Sequence, residues 1–171
     1  MRGQQQVYDC LKELGIAFDY YEHPAVHTIE ESLHYYRGEG TTICKNLFLR
    51  NHKGNRHYLV VMDARHNMNI RDMELRLGQG KLTFASPERM MKYLGVRPGS
   101  VSLFNLVNDA GHEVTLFVDS QLKGTTRVSF HPNDNTASLV IGFEDMMKFI
   151  QHIGNPYQFV DLYENVVAEN E

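Results

Sequence analysis

Hydrophobic and polar residues follow one another along the chain with two different periods, which predict helices interleaved with strands. Apolar positions three and four residues apart predict a helix over 7–14, which ends before Gly15 because glycine readily adopts the left-handed conformation that follows a helix. Thr28, Asn69 and Ser86 can begin further helices, since their side chains accept hydrogen bonds from the first turn. These further helices, with one near the C-terminal end, are predicted over 28–36, 70–77, 87–94 and 143–153.

Alternating apolar and polar positions predict the strands. They are expected over 16–21, 43–50, 57–63, 82–85, 101–107, 113–118, 126–130 and 136–141. Helices interleaved with hairpins predict an α+β fold with a mixed sheet rather than a strictly parallel one. The chain of 171 residues is long enough for one well-buried core, so a single domain over 1–171 is predicted. An acidic tail at about 157–171 is expected to fray at its end.

Charge is distributed unevenly along the chain. The net charge of −4 argues against a non-specific nucleic-acid binder. However, residues 37–97 carry twelve basic and five acidic side chains, whereas residues 141–171 carry one basic and six acidic ones. The middle of the chain can therefore offer a polyanion a basic surface, or it can simply be a solvated charged face.

The N-terminus and the cysteines indicate the expected compartment. The opening MRGQQQVYDC has no apolar core of a secretion signal, and no later stretch has the apolar length of a membrane span. A cytoplasmic protein without a membrane partner is therefore expected. Cys10 and Cys44 are too few for a disulfide scaffold or a four-ligand zinc site, and reduced thiols are the simplest interpretation.

Several common catalytic motifs are absent from the sequence. It contains no GxGxxG, GxxxxGK[ST], GxSxG or HExxH motif. The nine histidines include no pair at helical i, i+4 spacing with a carboxylate between them. No metal and no cofactor are therefore expected.

Lys45 is the first candidate for a functional residue. Strand alternation places it on one face with Leu47 and Leu49, while Cys44 points to the other face. Lys45 can extend its ammonium group to water from an apolar row, or it can lie in a cleft where it binds a phosphate or polarises a carbonyl. Cys44 is interpreted as a packed thiol in preference to a nucleophile.

Two loops supply the other candidates. In Arg97–Ser102, Gly99 allows close approach of the backbone to a ligand, and the N–H groups of the turn with Ser100 can donate to a developing oxyanion. In 129–136, His131 ends a strand and Asn135 lies in the turn that follows. Both segments can also be ordinary turns, because Pro-Gly, Asn and Asp are common turn formers.

Four segments taken in order carry a resemblance to a known family. They are YEHPAVHTIEES, KNLFLR, KLTFASPERMMKYLGVRPGSVS and FHPNDNTASLVI. The chain resembles the YbaK/ProX family of prolyl-tRNA editing domains from about residue 5 to 165, and most closely its free-standing type. The resemblance implies a mixed, partly barrel-like sheet flanked by helices. It also implies metal-independent hydrolysis of the ester that joins a misattached alanine to the terminal adenosine of proline tRNA.

The resemblance further implies roles for individual residues. Lys45 and Asn46 match the family's Lys-Asn pair, in which the lysine helps to hold the 3′ end of the tRNA. Gly99 matches the start of the loop that places the aminoacyl group through backbone contacts, and His131 matches the histidine of the FHPN segment. Lys81 falls where a basic residue approaches the acceptor stem.

One position departs from the family pattern. Leu103 stands where the loop usually has proline, which restores a backbone N–H, frees φ and puts the rigidity of the loop in question. Retained activity is expected, by water attack with assistance from the terminal ribose. A cysteinyl-tRNA(Pro) deacylase and a non-catalytic tRNA-binding module are the alternatives, and prolyl-tRNA synthetase is a possible partner.

Overall fold

The computed structural model describes residues 1–25, 28–35 and 37–163. The α-helices are Gln5–Glu13 (α1), Ile29–Leu33 (α2), Ile70–Leu77 (α3), Pro87–Leu94 (α4) and Phe143–Ile153 (α5), with 3₁₀ helices at Leu103–Asn108 and Ser120–Gly124. The strands are Asp19–Glu22 (β1), Thr41–Asn51 (β2), His57–Asp63 (β3), Leu82–Phe84 (β4), Val114–Asp119 (β5), Arg127–Phe130 (β6), Ala137–Gly142 (β7) and Tyr157–Val160 (β8).

Side-chain caps begin three of the helices where the sequence predicts them. Thr28, Asn69 and Ser86 each accept a hydrogen bond from a backbone N–H of the first turn. Gly78 and Gly95 end α3 and α4 in the left-handed conformation, with φ of 64° and 67°. Because these signals act within one turn, they could be identified from local sequence alone.

The strands form one mixed eight-stranded sheet, as predicted for an α+β fold. The order is β1-β7-β6-β2-β3-β5-β8, and β4 also pairs with β2. The β2–β6, β3–β5 and β5–β8 pairs are parallel, and the remaining pairs are antiparallel. Within the described part of the chain β1 and β8 do not pair with each other, so closure toward a barrel is incomplete.

Strand β2 has a gap along one of its edges. On one edge it pairs with β3 over 44–50, while on the other it pairs with β6 over 41–43 and with β4 over 49–51. Residues 44–48 therefore have no strand partner on that second edge. The carbonyl of Ile43 accepts a hydrogen bond from the N–H of Ala64 on the β3 side, and the carbonyl of Phe48 accepts one from the N–H of Ala85 on the gap side. Because backbone groups alternate in direction from one residue of a strand to the next, the N–H and C=O of Asn46 point into the gap, as those of Phe48 do.

Hydrophobic residues pack on both faces of the sheet. The larger cluster includes Phe48 of β2 and is covered by α1 and α5, which contribute Leu11 and Phe149. The smaller cluster includes Leu49 of β2 and is covered by α3 through Met73. Neighbouring β2 residues thus enter opposite clusters, and the strand has no solvated face at this point.

The predicted strand over 101–107 is wrong. Residues Leu103–Asn108 form a 3₁₀ helix instead. Ser102 accepts a hydrogen bond from the N–H of Phe104, while the side chain of Asn105 accepts one from the N–H of Ser102. The apolar residues of this segment suit a strand or a short helix, and this reciprocal cap favours the helix.

Two predicted boundaries also change. Ile16 lies outside β1, which begins only at Asp19. The sequence predicts no strand after Pro156, whereas Tyr157–Val160 forms β8 beside β5. Residues 164–171 of the predicted tail and Tyr36 at the predicted end of α2 lie outside the described residues.

Candidate active site

A cleft of about 450 Å³ opens along the unpaired stretch of β2. Its walls come from α2, the end of β4, α4, the loop 97–102 and the turn after β6. The fold thus brings together Lys45, Asn46, Gly99 and His131, which are far apart in sequence. Because the gap in the sheet exposes peptide groups as well as side chains, the cleft can bind a ligand through both.

Lys45 lies where the apolar row of β2 meets the cleft. Its cross-strand partner Met62 is completely buried, whereas Lys45 is only partly buried. The ammonium group of Lys45 makes no hydrogen bond or ion pair with another described residue, and the nearby Asp63 is paired with Arg65 at 2.7 Å. Burial lowers the pKa of Lys45, and the charge of Asp63 partly opposes that change. A partly desolvated, unpaired cation of this kind can bind an anionic or carbonyl oxygen.

Cys44 lies on the opposite face of β2, as the alternation predicts. Its side chain belongs to the larger hydrophobic cluster and is 8% exposed. Burial raises the pKa of the Cys44 thiol, and the carboxylates of Asp63 and Asp119 raise it further. A protonated, packed thiol is a poor nucleophile, so the geometry favours the packing role.

Asn46 joins β2 to the loop on the other side of the cleft. Its Oδ1 accepts a hydrogen bond from the backbone N–H of Leu103 at 3.1 Å. A proline at position 103 has no N–H for this bond. The leucine that departs from the family pattern therefore allows a direct link between the loop and Asn46.

Gly99 and Asn135 meet across the loop and the turn after β6. Gly99 has a φ of +93°, which favours glycine, and a Cβ added there would lie 3.3 Å from Nδ2 of Asn135. Ser100 does not line the cleft, and its N–H donates to the carbonyl of Arg97 within the loop. Because that N–H is engaged, the expected oxyanion donor at Ser100 is not available in this conformation.

His131 borders the cleft immediately after β6. Burial, together with the neighbouring His23 and Arg37, lowers the pKa of His131 to about 4. The ring is therefore neutral near pH 7. Its Nδ1 is buried and has no hydrogen-bond partner among the described residues. The partly exposed ring of His131 lines the cleft, where it can contact a bound substrate.

A buried amide network supports the His131 turn, and the sequence did not single out its members. Asn105 of the 3₁₀ helix donates to Asn133 of the turn. Asn133 has a φ of 63° and donates in turn to Gln4 at 2.7 Å. The Ser102–Asn105 capping spacing was the only local signal for this network, because the other two contacts join residues that are 28 and 129 positions apart.

Arg37 is another functional candidate that the sequence did not single out. It is 4% exposed and donates to the carbonyl of Tyr35 at 2.8 Å and to the hydroxyl of Ser138 at 3.0 Å. It also donates to the carbonyl and the hydroxyl of Ser32, which lines the cleft. Arg37 thereby fixes the end of α2, which forms one wall of the cleft.

Lys81 lies apart from the cleft. It is exposed and directly precedes β4, at the end of that strand farther from the cleft residue Phe84. Three residues of extended chain separate the two positions, roughly 10 Å. Lys81 can therefore meet only a part of a ligand that extends beyond the cleft.

Among the described residues, no group of three histidine, cysteine, aspartate or glutamate side chains is placed to hold a metal ion. No described helix has the length and apolar character needed to cross a bilayer.

Comparison with known families and proteins gives concordant matches. The model of the aminoacyl-tRNA editing domain matches residues 23–149. The chain is 40% identical over 162 residues to the prolyl-tRNA editing protein ProX of Acetoanaerobium sticklandii, which spans 95% of this chain and 99% of the relative. It is 33% identical over 156 residues to prolyl-tRNA synthetase associated domain-containing protein 1 of Xenopus laevis, which spans 89% and 92%.

A solved structure shares the fold. It is that of a candidate trans-editing enzyme for prolyl tRNA synthetase, and it superposes with a TM-score of 0.71 over 94% of this chain and 96% of the other. The identity is 21%, so this likeness concerns the fold alone.

Proposed function

The chain belongs to the aminoacyl-tRNA editing domain family, and from that premise we propose that it is a trans-editing deacylase that removes alanine from mischarged proline tRNA. The relative with 40% identity is a prolyl-tRNA editing protein that aligns over nearly its whole length. The observation that carries the proposal is the gap in β2, along which Lys45, Asn46, Gly99 and His131 line one cleft. The whole chain, 1–171, is proposed to act as a single editing domain.

The proposed reaction is hydrolysis of an ester. Aminoacyl esters are activated, so a well-placed water and a few hydrogen-bond donors suffice for its cleavage. The peptide group of Asn46 faces the cleft and offers both a donor and an acceptor at a fixed position. Neutral His131 interacts with the substrate or the attacking water, and a hydroxyl of the terminal ribose assists that water.

Lys45 is proposed to hold the 3′ end of the tRNA. Its ammonium group has no partner among the described residues and is partly desolvated, which strengthens its attraction to a phosphate or carbonyl oxygen. Gly99 brings the backbone of its loop close to the aminoacyl group. Lys81 contacts the acceptor stem farther out, since it lies beyond the cleft.

Selection of alanine is proposed to depend on size. Phe48, Met90 and Val101 give the cleft apolar walls beside Gly99 and His131. A small apolar site rejects a larger side chain by steric overlap, whereas the synthetase cannot exclude a smaller one equally well. Proline on its own tRNA is thereby spared.

The proposed partners and location follow from the substrate. The protein acts on mischarged proline tRNA in the cytoplasm. Association with prolyl-tRNA synthetase is proposed because a relative with 33% identity is named for its synthetase-associated domain.

The proposal is tested by measuring release of the amino acid from alanyl-, cysteinyl- and prolyl-tRNA(Pro). Rapid release of alanine, with proline retained, is expected. Preferential release of cysteine would show that cysteine, and not alanine, is the amino acid that the protein removes. Binding of all three tRNAs without release of any amino acid would identify a non-catalytic tRNA-binding module and contradict the proposed deacylase activity.

A further inference from the structure

Phe84 is an exposed aromatic residue at one end of the cleft. All nine phenylalanines lie within the described residues, and Phe84, at 59% exposure, is the only exposed one. A single exposed apolar side chain is ordinary on a protein surface. The location of Phe84 makes it informative, because it lines the same cleft as Lys45 and His131.

Strand pairing determines the direction of the Phe84 side chain. Phe84 is the last residue of β4 and lies opposite Leu49 of β2. Opposed residues in an antiparallel pair share a face, and alternate residues of one strand share it too. The ring of Phe84 therefore projects from the same face as Leu47 and Lys45.

One side of the Phe84 ring covers the smaller hydrophobic cluster. Phe84 borders a narrow crevice of about 10 Å³ whose other walls include Leu49 and Met73, both of which belong to that cluster. It also borders the main cleft. The ring thus stands between the two spaces, supported on one side and open on the other.

The cleft has different chemistry at its two ends. Gly99 and His131 lie near the start of the unpaired stretch of β2, beside the end of β6, whereas Phe84 lies beyond its other end. Lys45 and Leu49 are separated by four residues of strand, roughly 13 Å. A cation followed on one face by an aromatic ring with an open side is the combination that binds a nucleotide, through its phosphate and its base.

We infer that Phe84 is a stacking platform for the base of the terminal adenosine of the tRNA. This inference rests on the proposed function and adds a binding residue to it. The aminoacyl group lies toward Gly99 and His131, Lys45 holds the backbone of the 3′ end, and the base stacks on the open side of Phe84. Because every base has a π-face, this contact holds the end of the RNA without reading its sequence.

The test uses an uncharged hairpin RNA with the acceptor stem of proline tRNA and the fluorescent adenine analogue 2-aminopurine at its 3′ end. Stacking on an aromatic ring quenches this fluorophore. Phe84→Leu keeps an apolar cover over the crevice but removes the ring, whereas Phe84→Tyr keeps the ring. Leu75→Ala is the matched control, because Leu75 is 82% exposed and lines a different cavity.

Wild-type protein, Phe84→Tyr and Leu75→Ala are expected to quench the fluorophore and to bind the hairpin equally well. Phe84→Leu is expected to lose the quenching and to bind about 5- to 100-fold more weakly, as expected for one stacked base. A hairpin without the terminal base should bind wild type and Phe84→Leu with equal affinity.

The inference is overturned if Phe84→Leu quenches and binds as wild type does, or if it weakens binding of the hairpin without the terminal base to the same extent. Neither readout depends on turnover. Failure of the stacking role is therefore distinguishable from failure of the deacylase, which appears as absent amino acid release by the wild-type protein.

Discussion

At the scale of single residues, the contact between Asn46 and Leu103 connects β2 with the loop that carries Gly99. Leu103 is completely buried, and its N–H has the side chain of Asn46 as acceptor. A buried N–H that loses its acceptor destabilises the folded state by about 1–3 kcal/mol. The position of the loop, and with it one side of the cleft, therefore depends on an amide side chain on the facing strand.

Asn46→Ala is predicted to lower the free energy of unfolding by about 1–2 kcal/mol and to slow deacylation, because the N–H of Leu103 loses its acceptor. Leu103→Pro removes the donor of the same bond, at the first position of a 3₁₀ helix, where proline is tolerated. Urea denaturation of both variants and of the double variant measures the coupling. The double variant should lose less stability than the sum of the two single losses, and strict additivity would contradict the link.

His57 makes stability sensitive to mild acid. Its side chain is 2% exposed, contacts the tilted ring of Tyr93 with ring centroids 4.0 Å apart and accepts a hydrogen bond from Arg89 at 2.8 Å. Burial, together with the positive charges of Arg89 and Lys92, lowers the pKa of His57 to about 4. The unfolded chain therefore binds more protons than the folded one between about pH 6.5 and pH 4, so stability falls as the pH falls through that range.

Lowering the pH from 7 to 5 is predicted to reduce the free energy of unfolding by about 1–2 kcal/mol through His57. His131 contributes in the same direction, because its pKa is also lowered to about 4. Urea denaturation at the two pH values measures the change, and His57→Gln, which does not titrate, should reduce it. An identical change in the wild type and in His57→Gln would show that His57 is not responsible.

At the scale of elements, α2 depends on tertiary contacts. It has only five residues, too few for a stable isolated helix. Thr28 caps its start, while Arg37 donates to the carbonyls of Ser32 and Tyr35 at its end and to Ser138 of β7. A cation at the C-terminal end of a helix also interacts favourably with the helix dipole.

Arg37→Met is predicted to destabilise the protein by about 3 kcal/mol, because several buried acceptors lose their donor at once. It should also slow deacylation, since Ser32 on the wall of the cleft loses its support. Thermal denaturation and the rate of amino acid release measure the two effects. Arg56→Met is a control at an exposed position of the β2–β3 turn. A wild-type rate in the Arg37 variant would show that α2 is not needed in this position.

Elements with strong local signals could be predicted from the sequence, whereas those that depend on distant contacts could not. The caps and glycines that bound α3 and α4, and the turn between β2 and β3, act within a few residues. The pairing of β8 with β5 and the gap in β2 depend on strands brought together by the whole fold.

The same distinction applies to the cleft. Lys45, Gly99 and His131 were identified through an ordered set of motifs, and their meeting in one cleft depends on the fold. Phe84 lies within one of those motifs and Arg37 lies between two of them, but nothing local separates either residue from ordinary strand and loop residues. The exposure of Phe84 depends on the position of β4, and the burial of Arg37 depends on the position of α2, so neither can be read from the sequence.

At the scale of the whole molecule, charge is segregated along the chain. Residues 37–97, which carry twelve basic and five acidic side chains, include the whole of β2, β4 and α4 around the cleft. The acidic excess lies in 141–171, and none of the described residues of this stretch, 141–163, lines the cleft. A polyanion can therefore approach the cleft despite the net charge of −4.

Affinity for uncharged proline tRNA is predicted to fall as salt is added, because binding of phosphates by basic side chains releases counterions. Titrations between about 50 and 200 mM salt, where such contacts weaken strongly, measure the slope of log affinity against log salt concentration. Lys81→Ala should reduce this slope, whereas Lys148→Ala, on α5, should not. Affinity independent of salt would contradict a basic tRNA surface.

The central claim is that the gap in β2 is the editing site and that Lys45 serves the substrate there. The most direct test is the single-turnover rate of alanine release from alanyl-tRNA(Pro) by the wild type and by Lys45→Ala, with thermal denaturation of both. Because Lys45 has no partner among the described residues, the variant should keep nearly the stability of the wild type and lose most of its activity. Retained activity together with a large loss of stability would contradict the account and assign Lys45 a structural role.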